Sequence, residues 1–208
     1  MKKLVSLALA AVLAISAVGC GSSSDSSSST ADSAQSTEAA ADGATFKIGG
    51  IGPITGGAAI YGQAVMNAAQ MAVDKINADG GINGYQVEFR FEDDEHDAEK
   101  SVNAYNTLKD WGMQMLMGTV TSTPCTAVSA KTEEDNMFQL TPSGSAVESI
   151  APANAFRVCF SDPNQGTASA QYIGENKLAN KVAVIYNSSD VYSSGIYQTF
   201  ATEAANQG

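Results

Sequence analysis

From Thr45 onward, short apolar runs alternate with helical patterns, and that alternation leaves few folds open to the chain. Residues 46–51 read as a strand closed by Gly52-Pro53. Ala64, Val65, Ala68, Met71, Ala72 and Ile76 recur at spacings of three and four, which predicts an amphipathic helix stopping at Asp79-Gly80-Gly81. Asn83-Gly84 is a turn signal, and Val87, Phe89 and Phe91 then alternate with charged residues as a strand does. Val102, Tyr105 and Leu108 predict the next helix, reaching Trp111-Gly112; residues 113–117 read as a buried strand, and Val128 marks the helix after it. Residues 137–140 and 155–160 read as strands, 168–178 as a helix, 181–187 as a further strand, and a last helix starts near Gly195. Strand and helix alternating at this spacing predict an α/β fold, a parallel sheet flanked by helices on both faces. Such sheets bind ligands beyond the carboxyl ends of their strands. The segments that matter for function are therefore 52–60, 92–97, 118–123, 141–146 and 187–194.

The composition before Ala44 is of another kind. Lys2 and Lys3 precede an apolar run over residues 4–18, too short for a stable span, which takes about 20 residues. The run reads as the core of a secretory signal peptide over residues 1–20. Ala17-Val18-Gly19-Cys20 resembles a bacterial lipobox, with Cys20 as the lipid-bearing residue, although alanine replaces the usual leucine three positions earlier. Residues 21–43 hold nine serines and four acids, with no aromatic, valine, isoleucine or leucine. With nothing to bury against the entropy of ordering, this stretch is expected to be a disordered tether that holds a folded part, starting near Ala44, off the membrane.

Charge and cysteine content exclude several classes of function. The formal charge of −11 splits as +2 over residues 1–20, −4 over 21–43 and −9 over the rest. So acidic a chain has no electrostatic grip on phosphate, which argues against nucleic acid and against an anionic membrane surface as partners. One histidine and three scattered cysteines supply no ligand set for zinc or haem and no disulfide framework, so no metal and no cofactor is expected. The glycine-rich segment 50–57 imitates a phosphate loop, but Thr55 stands where the dinucleotide pattern needs glycine. Ala58-Ala59 stand where a P-loop needs Lys and Ser/Thr, and Pro53 lacks an amide. The acidic run Glu92-Asp93-Asp94-Glu95-His96-Asp97 reads as a solvated turn with Asp97 capping the next helix. A hydrolase built on that run would need a partner carboxylate or a metal, and the chain has no G-x-S-x-G elbow. Cys125 and Cys159 read as small buried residues.

Two segments do carry binding chemistry. In Gly118-Thr119-Val120-Thr121-Ser122-Thr123-Pro124, Thr123 is a suitable N-cap and Pro124 suits the first helical position. The amides around Ser122 and Thr123 would then face the crevice at the positive end of a helix, where a small carboxylate is held without a buried cation. Thr141-Pro142-Ser143-Gly144-Ser145-Ala146 repeats the device at the opening of a short helix. There the Ser143 carbonyl is available to an ammonium, and the Ser145 hydroxyl can donate or accept. Two neighbouring loops of hydroxyls and amides with no cation suit a zwitterion. Tyr61, opening the first helix, and Tyr192, in the loop after residues 181–187, are candidate apolar walls.

Gly52-Pro53-Ile54-Thr55-Gly56, Tyr61-Gly62 and Ile76-Asn77-Ala78-Asp79-Gly80-Gly81-Ile82-Asn83-Gly84 resemble the branched-chain amino-acid-binding proteins of ABC importers. So do Glu92-Asp93-Asp94, Thr141-Pro142-Ser143, Phe156-Arg157, Asp162-Pro163-Asn164-Gln165-Gly166 and Ser189-Asp190-Val191-Tyr192-Ser193-Ser194-Gly195. The resemblance implies a type I periplasmic binding fold, two α/β lobes closing on a ligand. It places residues 44–160 in lobe 1 and residues 161–208 at the start of lobe 2, because members of the family continue well beyond this length. It further implies that Ser122 binds the ligand carboxylate by hydroxyl and amide, that the Ser143 carbonyl meets the ammonium, and that Ser145 touches both. Tyr61 and Tyr192 would pack beside the ligand from the two lobes. The disulfide of some members has no counterpart, since His96 and Thr121 occupy its two places, and Ser143 and Ser145 stand where small residues or threonine are usual. The implied function is an extracytoplasmic, membrane-anchored solute-binding lipoprotein that hands an amino acid, branched-chain type, to an ABC permease and is not an enzyme. The other reading is the ligand-sensing ectodomain of a receptor or signalling protein with the same fold.

Overall fold

A computed structural model describes Gly43 and residues 45–208. The expected signal peptide, Cys20 and the expected tether up to Asp42 lie outside the described residues. Five parallel strands form one sheet in the order β2-β1-β3-β4-β5: β1 Thr45–Gly52, β2 Gln86–Asp93, β3 Met115–Gly118, β4 Gln139–Thr141 and β5 Ala155–Arg157. Helices α1 Ala59–Ala78, α2 Ala98–Trp111 and α3 Ser122–Glu134 connect the first four strands, and a 3-10 turn, Val147–Ile150, leads into β5. Helices α4 Asp162–Glu175 and α5 Val191–Gln207 follow and pack on each other. No helix among the described residues is long and apolar enough to cross a membrane.

The core lies beneath β1 and β3, where Ile51 and Leu116 meet Ala104, Tyr105 and Leu108 of α2, Met113 and Val128 of α3. Local signals place α2. The Asp97 side chain accepts from the Lys100 amide at 2.8 Å, and Gly112 ends the helix at φ 88°, a conformation that costs glycine nothing. Asn77, at the end of α1, exchanges two hydrogen bonds with the backbone of Val87 (2.8 and 2.7 Å) and so stands in for a neighbour on the outer edge of β2.

Four expectations need correction. The buried side of α1 runs through Gly62, Val65, Met66, Ala69, Val73 and Ile76, while Ala64, Ala68, Met71 and Ala72 are exposed. Gly62 decides this orientation, because a Cβ there would collide with the Pro53 carbonyl. Helix α4 starts six residues earlier than its apolar periodicity suggests, since Ser161 caps it and Pro163 is tolerated in the first turn. Helix α5 starts at Val191 because the Asp190 side chain accepts from the Ser193 amide at 3.0 Å, which puts Tyr192 on the helix and not in the preceding loop. Residues 181–187 form no strand: an extended segment becomes one only by hydrogen-bonding a neighbour, and no described strand lies beside it.

Candidate ligand-binding site

The topology makes a crevice. Strand β1 has β2 on one side and β3 on the other, so the chain leaves β1 and β3 in opposite directions, and this reversal is where open α/β sheets bind ligands. The loops after β1, β3 and β4 therefore share one edge of the sheet, and they hold Tyr61, Ser122, Thr123, Ser143 and Ser145.

At the start of α3 the cap is Thr121, not Thr123, and the helix begins at Ser122 with Pro124 as its third residue. Proline fits there because the third amide has no intrahelical acceptor either. Thr121 gives no side-chain cap; its hydroxyl pairs with His96 Nδ1 at 2.9 Å. The first bond of the helix runs from the Cys125 amide to the Thr121 carbonyl at 3.0 Å. Among the described residues, the amides of Ser122 and Thr123 have no protein acceptor. Two uncapped N–H groups at a helix N-terminus are a ready anion cradle.

Loop 141–146 is bound tightly to this end of α3. The Ser122 hydroxyl oxygen accepts from the amides of Ser145 (3.1 Å) and Ala146 (3.2 Å), leaving its own proton free to donate. The Ser143 hydroxyl donates to the Val120 carbonyl at 2.5 Å, and the Thr141 hydroxyl to the Thr119 carbonyl at 2.6 Å while accepting from the Gly144 amide at 2.8 Å. Beneath them lies Gln139, fully buried, which donates to the Gly118 carbonyl (3.0 Å) and accepts from the Thr132 hydroxyl (2.7 Å). Arg157 of β5 donates to the carbonyls of Ser145 and Ala146 at 2.8 and 2.9 Å. Gln139, Thr141 and Arg157 are site-building residues that sequence reasoning missed. The polar residues at the ends of short strands were the signal available.

Ser122, Ser143 and Ser145 are thus brought together, with Ser122 and Ser145 each 3 % exposed. Thr123 is a neighbour in the same turn, and its hydroxyl donates to Asp190 Oδ1 at 3.3 Å. Tyr192 lies in the first turn of α5, which Asp190 caps, and Tyr61 in the first turn of α1; both are exposed (41 % and 64 %). No hydrogen bond links Tyr61 to the serines among the described residues.

The acidic run is less solvated than its composition suggests. Asp93 binds the β1 loop: its carboxylate accepts from the amides of Ile54 (2.9 Å) and Glu95 (3.0 Å) and from the Thr55 hydroxyl. Burial raises its pKa, but the Thr55 hydroxyl and these amides outweigh burial and hold it below the usual carboxylate value. Asp94 is fully buried, with Oδ2 unpartnered, and burial pushes its pKa up to about 6 against the lowering effect of the His96 amide. Asp97 caps α2. Among the described residues no three His, Cys, Asp or Glu side chains are grouped to hold a metal ion. Cys125 is buried and Cys159 half-buried, and both are free thiols.

Residues 45–208 match the periplasmic binding protein family. The chain belongs to that family. It is 34 % identical over 172 residues to Leu/Ile/Val-binding protein homolog 3 of Brucella melitensis, covering 82 % of this chain and 46 % of that protein. Leu/Ile/Val-binding protein BraC3 of Rhizobium johnstonii is 34 % identical over 159 residues, 76 % of this chain and 43 % of that protein. Among solved structures, the branched-chain amino acid transporter substrate-binding protein LivJ of Streptococcus pneumoniae, in complex with isoleucine, superposes with a TM-score of 0.72 at 28 % identity. That superposition covers 76 % of this chain and 46 % of LivJ. The leucine-binding protein LivK of Thermotoga maritima gives 0.72 at 26 % identity over 79 % of this chain and 47 % of its own. This periplasmic binding protein family member therefore has the type I α/β fold, and the chain spans under half the length of the curated relatives it matches.

Proposed function

We propose that this chain is the ligand-capturing part of an extracytoplasmic solute-binding lipoprotein that takes an amino acid of branched-chain type and delivers it to an ABC permease. One observation carries the reading: the N-terminus of α3 offers two amides without protein acceptors and a hydroxyl with a free proton, beside a loop whose Ser143 carbonyl has no protein donor among the described residues, in a family whose relatives are named for leucine, isoleucine and valine. The ligand carboxylate accepts from the amides of Ser122 and Thr123 and from the Ser122 hydroxyl. The Ser143 carbonyl and Ser145 hydroxyl take the ammonium, and Tyr61 and Tyr192 wall the side chain. No bond is made or broken, so the protein binds and releases without catalysis, and affinity comes from closing a second lobe on the first. Residues 44–160 form the first lobe and residues 161–208 begin the second. Residues 1–20 are the lipoprotein export signal, cleaved before Cys20, which carries the lipid, and residues 21–43 are the tether to the membrane.

Calorimetry of the full-length protein against the twenty amino acids tests this. Leucine, isoleucine or valine is expected to bind, and Ser122→Ala is expected to weaken that binding by roughly 1–3 kcal/mol through loss of a charge-assisted hydrogen bond. Binding that Ser122→Ala leaves unchanged removes Ser122 from the site, and a protein that takes sugars or peptides in place of amino acids ends the reading.

A further inference from the structure

One carboxylate ties the head of α5 to the end of α3 where the ligand carboxylate is to be read. Asp190 uses Oδ2 as the cap of α5, accepting from the Ser193 amide at 3.0 Å. Its Oδ1 accepts from the Thr123 hydroxyl at 3.3 Å and lies 4.0 Å from His96 Nε2. His96 is fixed on its other side by Thr121, 2.9 Å from Nδ1. The turn after β2, through His96, and the first turn of α3, through Thr123, thus meet on a single side chain, itself only 17 % exposed. Asp162, at the start of α4, faces the same turn of α5, since a Cβ on Gly195 would lie 3.2 Å from its Oδ2. Negative charge at a helix N-terminus is favourable, so the Asp190 cap holds α5 where it is.

We propose that Asp190, Thr123 and His96 form a latch that positions α5, and with it Tyr192, over the N-terminus of α3. The proposal rests on the binding role assigned above to that N-terminus. Thr123 serves twice: its hydroxyl is committed to Asp190 while its amide stays free for the ligand. Asp190 touches no ligand and is a positioning residue. Its reach from α5 to α3 is separate from its capping of α5, because the two tasks use different oxygens.

Hydrogen exchange over residues 188–197 and calorimetry with leucine test the latch together. Thr123→Val removes the hydroxyl and leaves the cap of α5 intact, so a capping role alone predicts no change. The latch predicts exchange faster by roughly 3- to 10-fold in Thr123→Val, the scale of one lost hydrogen bond. It also predicts near wild-type exchange in Asp190→Asn, whose one amide oxygen still caps α5 while its NH2 can donate to the Thr123 hydroxyl oxygen, and no further acceleration when Thr123→Val is added to Asp190→Ala. Unchanged exchange in Thr123→Val, or effects of Thr123→Val and Asp190→Ala that multiply, overturns it. If exchange responds as expected and no amino acid binds, the latch stands and the binding assignment falls. If Thr123→Val weakens leucine binding with exchange unaltered, Thr123 acts on the ligand directly and the latch falls.

Discussion

Helices α2 and α5 mark the two regions of this molecule. The 14-residue α2 buries Ser101, Ala104, Tyr105 and Leu108, whereas the 17-residue α5 buries none of its residues, although it carries Ile196, Tyr197 and Phe200. The strands differ in the same way. Strand β1 has a neighbour on each side, while Val182, Val184, Ile185 and Tyr186 in segment 181–187 are 41–101 % exposed. Between that segment, α4 and α5 lies an open groove of about 720 Å³ lined by Val182, Val184, Tyr186, Tyr197 and Phe200. Tyr186 stacks on Tyr197, ring centres 4.0 Å apart, which is the closest this region comes to a core. Apolar content is alike in the two regions; what separates them is whether elements stand on both sides of each apolar face. Burial is a property of neighbours, not of a segment.

The largest test of this difference compares two large-to-small substitutions. Leu108→Ala empties a fully buried site in the first region and is expected to cost about 2–5 kcal/mol in urea unfolding. Phe200→Ala removes a larger ring but from the edge of an open groove, and is expected to cost about 1 kcal/mol, near the middle of ordinary substitutions. Equal costs would mean that the second region has a closed core after all.

Next in size are two glycines at close approaches. A Cβ on Gly62 collides with the Pro53 carbonyl, so Gly62→Ala must push α1 off the loop after β1 and is expected to lose roughly 1–3 kcal/mol of global stability. A Cβ on Gly166 collides with Thr199 and the backbone of Ile196, at the contact of α4 with α5. Gly166→Ala is expected to speed hydrogen exchange in those two helices and to leave β1 and β3 protected. Exchange rising across the sheet as well would make the two regions one cooperative unit.

What could be read in the sequence divides along the same line. Strands β1 to β4 and helices α1 to α3 were legible because each has a local signature: Asp97 before α2, Gly112 after it, alternation in β2. The loops after β3 and β4 were legible as neighbours on one edge of the sheet because strand ends in a parallel sheet must lie together. Non-local features were not. The buried side of α1 is set by where Gly62 meets Pro53, not by the apolar count, which pointed to Met71. Thr121 displaces Thr123 as the cap of α3 because proline is tolerated at any of the first helical positions, so its presence does not fix the first. Segment 181–187 has a strand's composition and lacks a strand's neighbour. Gln139 and Thr141 look like ordinary polar residues until the β3 carbonyls that they satisfy are in view.

Asp94 gives the smallest effect and the finest comparison, since each region holds one buried, incompletely satisfied carboxylate: Asp94 after β2 and Asp162 at the head of α4. Burial raises both pKa values, Asp94 to about 6, with the Ser145 hydroxyl and Arg157 only partly opposing the rise at Asp162. A carboxyl whose folded pKa lies above its unfolded value binds more protons when folded, so stability falls as pH rises between the two values and levels off above the folded one. For Asp94 the window runs from 3.8 to about 6. Between about pH 5 and pH 7 it should cost the wild type roughly 1 kcal/mol of unfolding free energy. Asp94→Asn keeps an oxygen for the His96 amide and removes the charge, so its unfolding free energy should be flatter over that range by this amount. Asp162→Asn should flatten the pH dependence of exchange in α4 and α5 and leave the unfolding of the sheet unaltered. A pH slope in Asp94→Asn as steep as in the wild type would show that Asp94 is ionised without cost, and would set it apart from Asp162.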